Sequence, residues 1–262
     1  MSLEIVIRLF CSFLSLSLII QTIEFLTLSN SADVRTKWAW SVQRGDLSHS
    51  NKLLRGFFDF VFRDSVHLIH LVLRLLFAMS LFWGVTLFSG TFLFISTIIL
   101  LIRWRGAFNG GSDFMTVVTV TGLLIAVTAS HFVDEAQAWI AALWYVTIHS
   151  VTSYFMSGAV KLLNSQWRKG TALTHFLDGG LYGPLSKNSL FRKSVIAILA
   201  SWSFILWEMS FPLVFIDQQL AVVFCAIAFV FHLLVFRYFG LNRFVWAWTA
   251  TFPAIIYCSG QF

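Results

Sequence analysis

The chain has 262 residues, 58% of them hydrophobic, 17% aromatic and 11% charged, with a mean hydropathy of +0.80. A soluble domain carries roughly 25% charged residues, so the composition points to one polytopic membrane domain over 1–262 and excludes a sizeable soluble one. The net charge of +6 reads as loop charge distributed by the positive-inside rule, not as a surface for nucleic acid, and the partner it implies is the lipid bilayer.

A span needs roughly 20 apolar residues. Eight segments qualify, at about 9–27, 65–83, 85–102, 114–132, 137–160, 194–215, 219–236 and 244–261. The first follows Glu4 and lacks a small-residue cleavage site, so it reads as a retained span, not a signal peptide. The connection 28–64 holds Trp38, Trp40 and "LLRGFFDFVF" (53–62), the pattern of an interfacial amphipathic helix. The second and third spans nearly merge, with a hinge between Ser80 and Gly90. "NGGSD" (109–113) reads as a turn with a helix cap. The connection 162–193 contains "GTALTHFLDGGLYGPLSKN", a Gly/Pro mixture that suits a re-entrant or cavity-capping loop and suits a surface loop equally. The chain shows no internal repeat.

With eight spans, the connections 28–64, 103–113, 161–193 and 237–243 share one face and carry sixteen of the eighteen Lys and Arg residues. The other face carries Glu4, Asp134, Glu135 and Asp217, with Arg8 its only base. That asymmetry puts the basic connections in the cytoplasm and both termini outside.

Few ionisable residues fall within the spans: Glu24, Arg74, Glu208 and, at a span end, Lys161. Such residues usually face a protein interior and find partners there. Glu24 and Arg74 read as a structural ion pair. Arg74 shares a helical stripe with His67 and His70. Glu208 has Ser201 on its face with Phe204 between, so its partner must come from another helix. Lys161 shares a stripe with Ser150, Tyr154, Ser157 and Gly158. It either anchors a helix end at the membrane surface or works inside a polar cavity. His232 stands alone in its span, which fits a packing residue as well as a functional one. "HLIH" (67–70) has ligand spacing but no third or fourth ligand, and Cys11, Cys225 and Cys258 lie far apart, so no metal and no disulfide framework is expected. His49, His131 and His175 read as interfacial or loop residues.

"YFMSGAVKLLNSQWRKG" (154–170) resembles a signature of the HTTM family, the membrane domain shared with vitamin K-dependent gamma-carboxylases. "RWRGAFNGGSDFMTVV" (103–118) is similar to that family's Asn-Gly-Gly-Asp entry into a span. "FHLLVFRYFGLNRFVWAWTATFPAII" (231–256) is similar to its His-containing span and closing helix. The similarity covers roughly 65–260. It implies an all-α bundle of about eight transmembrane helices in a bacterial cytoplasmic membrane, with Lys161 as a buried base and a quinone or hydroquinone as cofactor. It places Glu208 and His232 in the cavity, with Tyr154 orienting the lysine and His149 and Arg74 beside it. Its implied partners are a secreted peptide substrate or a second membrane subunit. Gly110 and Gly111 stand where carboxylases have a histidine, Val160 stands where they have a second lysine, and their large lumenal region has no counterpart before Phe262. Those departures point to a carboxylase-related membrane enzyme or peptide-maturation factor, not to gamma-carboxylation itself. Two other functions fit the residues: a non-catalytic membrane scaffold or assembly subunit, and, less well for want of a repeat, a transporter.

Overall fold

A computed structural model describes residues 1–29, 31, 36–104 and 110–261. Asn109, part of the Asn-Gly-Gly motif, lies outside the described residues, as do 30 and 32–35 of the first connection. The described chain is all-helical, with no strand. In chain order the α-helices are α1 (Leu3–Ser29), α2 (Trp40–Gln43), α3 (Lys52–Val61), α4 (Asp64–Ser80), α5 (Leu87–Trp104), α6 (Gly110–Ala129), α7 (Glu135–Leu163), α8 (Ser165–Arg168), α9 (Thr171–Asp178), α10 (Ser194–Met209), α11 (Gln218–Phe239), α12 (Asn242–Thr249) and α13 (Phe252–Ser259).

Four of them, α1, α5, α6 and α11, are long and apolar enough to cross a membrane. That marks the chain as a membrane protein. Helix α10 is apolar but shorter. Helix α4 has 17 residues, about 26 Å at 1.5 Å per residue. The sequence segment 244–261 is not one helix. It breaks at Ala250 and Thr251, and α13 restarts with Pro253 in its first turn. Proline has no N–H to give the preceding turn, so it fits a helix start and not a helix middle.

Short polar side chains set the other boundaries. Asn51, Asp134, Asn164 and Asp217 each accept a backbone N–H at the start of α3, α7, α8 and α11. Gly240 closes α11 in a left-handed conformation, φ 70°, a geometry that glycine adopts without a Cβ penalty.

Helix α7 is the centre of the assembly and packs against α6, α10 and α13, while α1 packs against α4. One apolar core joins α1, α4, α6, α7 and α13 around Phe10, Leu14, Leu123 and Leu143. A second joins α6, α7, α11, α12, α13 and the 3-10 turn Phe211–Phe215 around Tyr154, Phe211 and Trp248. Cys11, Cys225 and Cys258 are buried free thiols. Helix α3 lies on the body through Phe58 and Phe62 and turns Leu53, Phe57 and Phe60 outward. Its Asp59 binds Arg44 at 2.7 Å and the Trp40 indole at 2.9 Å. Bonding to Arg44 first, and to Trp40, holds this carboxyl below its ordinary range.

The expected Glu24–Arg74 ion pair does not form. Arg74 is fully buried, and its guanidinium donates to Gln21 at 2.7 Å, Thr97 at 2.9 Å and Ser96 at 3.1 Å. Glu24 instead binds Arg243 at 3.0 Å and accepts from Asn242. Arg243 also binds Asp113 at 2.9 Å, and Gln21 donates to the same carboxylate oxygen at 3.0 Å. Gln21 thus bridges two ion systems, and the sequence's two lone charges belong to one larger network across α1, α4, α6 and α12.

Candidate functional site

Lys161 lies in the last turn of α7 and Glu208 in the last turn of α10. Gly158 lets those helices meet: a Cβ there would fall 2.7 Å from Met209 N and 2.9 Å from Glu208 Cβ. The Lys161 ammonium donates to Glu208 Oε2 at 2.6 Å, to Oε1 at 2.7 Å and to Ser157 Oγ at 2.6 Å. Ser157 in turn donates to Glu208 Oε1 at 3.1 Å. The glutamate is 2% exposed and the lysine 16%. The Trp167 ring adds a cation–π contact, 5.4 Å from the ammonium.

Lys161, but not Glu208, lines a cavity of about 260 Å³ whose wall is almost wholly apolar, including Phe176, Phe191, Phe204 and Phe231. Lys161 is the only charged residue in that lining. Helices α8 and α9 cap the cavity. Gly170, at φ 73°, permits the cap to touch α10, since a Cβ there would fall 2.6 Å from Ala197 C. Ser201 and the Trp202 indole donate to the Trp167 and Arg168 carbonyls, and Leu181 N donates to Tyr238 O at 2.7 Å. The cap is therefore strapped to α10 on one side and to α11 on the other.

Tyr154, two turns before Lys161 on α7, meets His232 of α11: its hydroxyl lies 2.8 Å from Nε2. Trp207, beside Glu208 in sequence, packs its ring 5.5 Å from Tyr154. The Trp248 indole stacks on His232 at 5.2 Å. His232 Nδ1 and the Nε1 atoms of Trp207 and Trp248 are buried without a hydrogen-bond partner. Such groups are costly to leave unpaired in a protein interior.

Tyr154 bonds His232 and not Lys161, and neither of them lines the cavity, contrary to the sequence expectation. Two further sequence candidates lie elsewhere. His149 is exposed, with Nδ1 on its own helix's Tyr145 carbonyl at 2.9 Å. At 100° per residue it sits about 120° round α7 from Lys161. Arg74 belongs to the Gln21 network and does not line this cavity. Among the described residues no group of His, Cys, Asp and Glu could hold a metal. The cap residues Leu173, Phe176 and Leu177 went unread because they are ordinary apolar residues whose cavity exists only after α9 folds back. Comparison with known protein families, characterised proteins and solved structures finds no match to this chain.

Proposed function

We propose that the chain is a carboxylase-related membrane enzyme or peptide-maturation factor, with the HTTM-like arrangement of eight spans, in a bacterial cytoplasmic membrane. Its basic connections face the cytoplasm and both termini face outward. The observation that carries this reading is the Lys161–Glu208 pair, whose lysine lines an apolar, aromatic cavity. A charge pair in a site that excludes water acts far more strongly on a bound molecule than the same pair in solvent.

Lys161 is the base and Glu208 its proton partner. The lysine's proton passes to Glu208 across the 2.6 Å contact, and the freed amine then takes a proton from the substrate. Ser157 keeps the lysine in place throughout. Tyr154 and His232 form a second buried polar pair, bonded to each other at 2.8 Å and set outside the cavity lining. The phenylalanine lining fits a flat ring such as a quinone or hydroquinone, with Lys161 beside it, and such a cofactor would supply redox chemistry to a peptide substrate.

The test is the rate at which an amine-reactive probe modifies Lys161 in nanodiscs, with exposed Lys187 as internal reference and Lys161→Ala as blank. A short-tailed quinone should slow modification of Lys161 about tenfold and leave Lys187 unchanged, a difference of about 1.4 kcal/mol in occupancy. Equal modification of both lysines, unaffected by quinone, would overturn the proposal.

A scaffold function has its own support, since Glu208 and Ser157 already satisfy all three ammonium donors. The double variant Lys161→Met/Glu208→Leu separates the two. A scaffold keeps stability and function in it, because a buried pair exchanges well for apolar residues. An enzyme keeps stability alone.

A further inference from the structure

A second cavity, of about 660 Å³, lies among the ends of α1, α2, α4 and α5. No helix of the Lys161 site contributes to it. Its size falls within the roughly 300–1,000 Å³ of small-molecule sites. Three features define its chemistry. Arg103 lines it, 6% exposed, with its guanidinium held by Gln43 Oε1 at 2.7 Å and the Trp38 carbonyl at 2.8 Å and stacked 4.5 Å from the Trp104 ring. Two of its five N–H donors are used in those bonds. Asp64 lines the same cavity at its exposed rim and makes no ion pair with Arg103. His67, only 7% exposed, lines it too, and neither ring nitrogen has a hydrogen-bond partner.

A held cation and a rim carboxylate that share a cavity without pairing leave room for a dipolar molecule between them. An imidazole with both nitrogens vacant asks for a partner with a donor or an acceptor oxygen. The lining also includes Trp40, Phe62 and Leu68. From Leu68 an apolar stripe runs along the outer face of α4 at four-residue spacing, through Val72 and Leu76, exposed by 52%, 44% and 53%. That stripe begins at the cavity, at the level where α1 and α5 end, which is where a headgroup would sit.

We propose that this cavity binds the headgroup of a zwitterionic phospholipid bearing a primary amine. Its phosphodiester lies against Arg103 and His67, its ammonium against Asp64, and an acyl chain follows Leu68, Val72 and Leu76. The binding does not depend on the function of Lys161.

The test is native mass spectrometry of the whole protein in detergent with phosphatidylethanolamine, phosphatidylglycerol or free phosphoethanolamine added. Phosphatidylethanolamine should be retained preferentially. Asp64→Asn, a change at the exposed rim that leaves the fold intact, and His67→Phe should each cut retention about tenfold, or about 1.4 kcal/mol. Equal retention of the two lipids, or retention unchanged in both variants, would mean annular lipid only and would overturn the proposal. Free phosphoethanolamine binding as tightly as the lipid would make the ligand a soluble zwitterion and would also overturn it.

Discussion

Of the Lys161–Glu208 pair, Lys161 lines a 260 Å³ cavity, whereas in the network of Glu24, Arg243, Asp113, Gln21 and Arg74 only Gln21 and Asp113 border a void, of about 10 Å³. That void has room for one water at most. Both sets bury charge between helices, and both are matched in sign. The larger set ties four helices together and has nothing to offer a ligand. The smaller set ties two helices and has the side chain of its lysine along the wall of an open space. A buried ion pair is weak evidence for stability and a better clue to specificity or function. Here the adjoining volume separates the two roles: the Arg243 network fixes which helices sit together, and Lys161–Glu208 is placed to act.

The sharpest way to break this contrast is Arg243→Met. It leaves Glu24 and Asp113 without their cation, and the loss should be about 3–5 kcal/mol, the cost of breaking a buried pair. Thermal unfolding in detergent reads it. Lys161→Met should cost less, because it strands one carboxylate and not two, and Ser157 still donates to Glu208. An equal loss in both variants would erase the distinction. Next in size is Gly158→Val, which forces a side chain into the 2.7 Å approach to Met209 and should cost about 1–3 kcal/mol through overpacking. The same melting experiment detects it, and no loss would mean that α7 and α10 do not meet there.

The smallest effect concerns pH and the segment outside the spans. Asp59 titrates below its ordinary value because Arg44 and Trp40 bond its charged form. Its contribution is therefore complete above the unfolded carboxyl pKa, near 3.8. It is lost only as pH falls through the lower folded value. Protease cleavage within 44–62 should rise at strongly acidic pH and stay flat from pH 5 to 8, and Asp59→Asn should abolish the acid rise. Because the pair is exposed, salt should weaken it.

Much of this helical layout was legible from the sequence, because hydrophobic length survives without tertiary knowledge. The hinge near Ser80 and the α3 pattern with Phe57 and Phe60 followed from residue order alone. The charge partners did not. Arg243 lies in the basic connection 237–243 and Asp113 in the turn "NGGSD", outside the spans as read from sequence, so neither is visible there as a partner for Glu24. Helical periodicity reports which residues share a face of one helix. It says nothing of which faces meet, and Glu24 meets α12 from 218 residues away. Glu208 was different: its own stripe was broken by Phe204, so a partner on another helix was the only option left. The α12–α13 break had a visible cause in Pro253 but sat inside an apolar run that read as one span.

The burial of Cys11, Cys225 and Cys258 has a practical consequence. A water-soluble maleimide finds no native thiol on the folded surface, so the natural sequence is already its own silent background. A single cysteine placed at exposed Ser2 or Ser186 would be labelled from only one side of a sealed vesicle, and the pair would report sidedness without first stripping the protein of its sulfur.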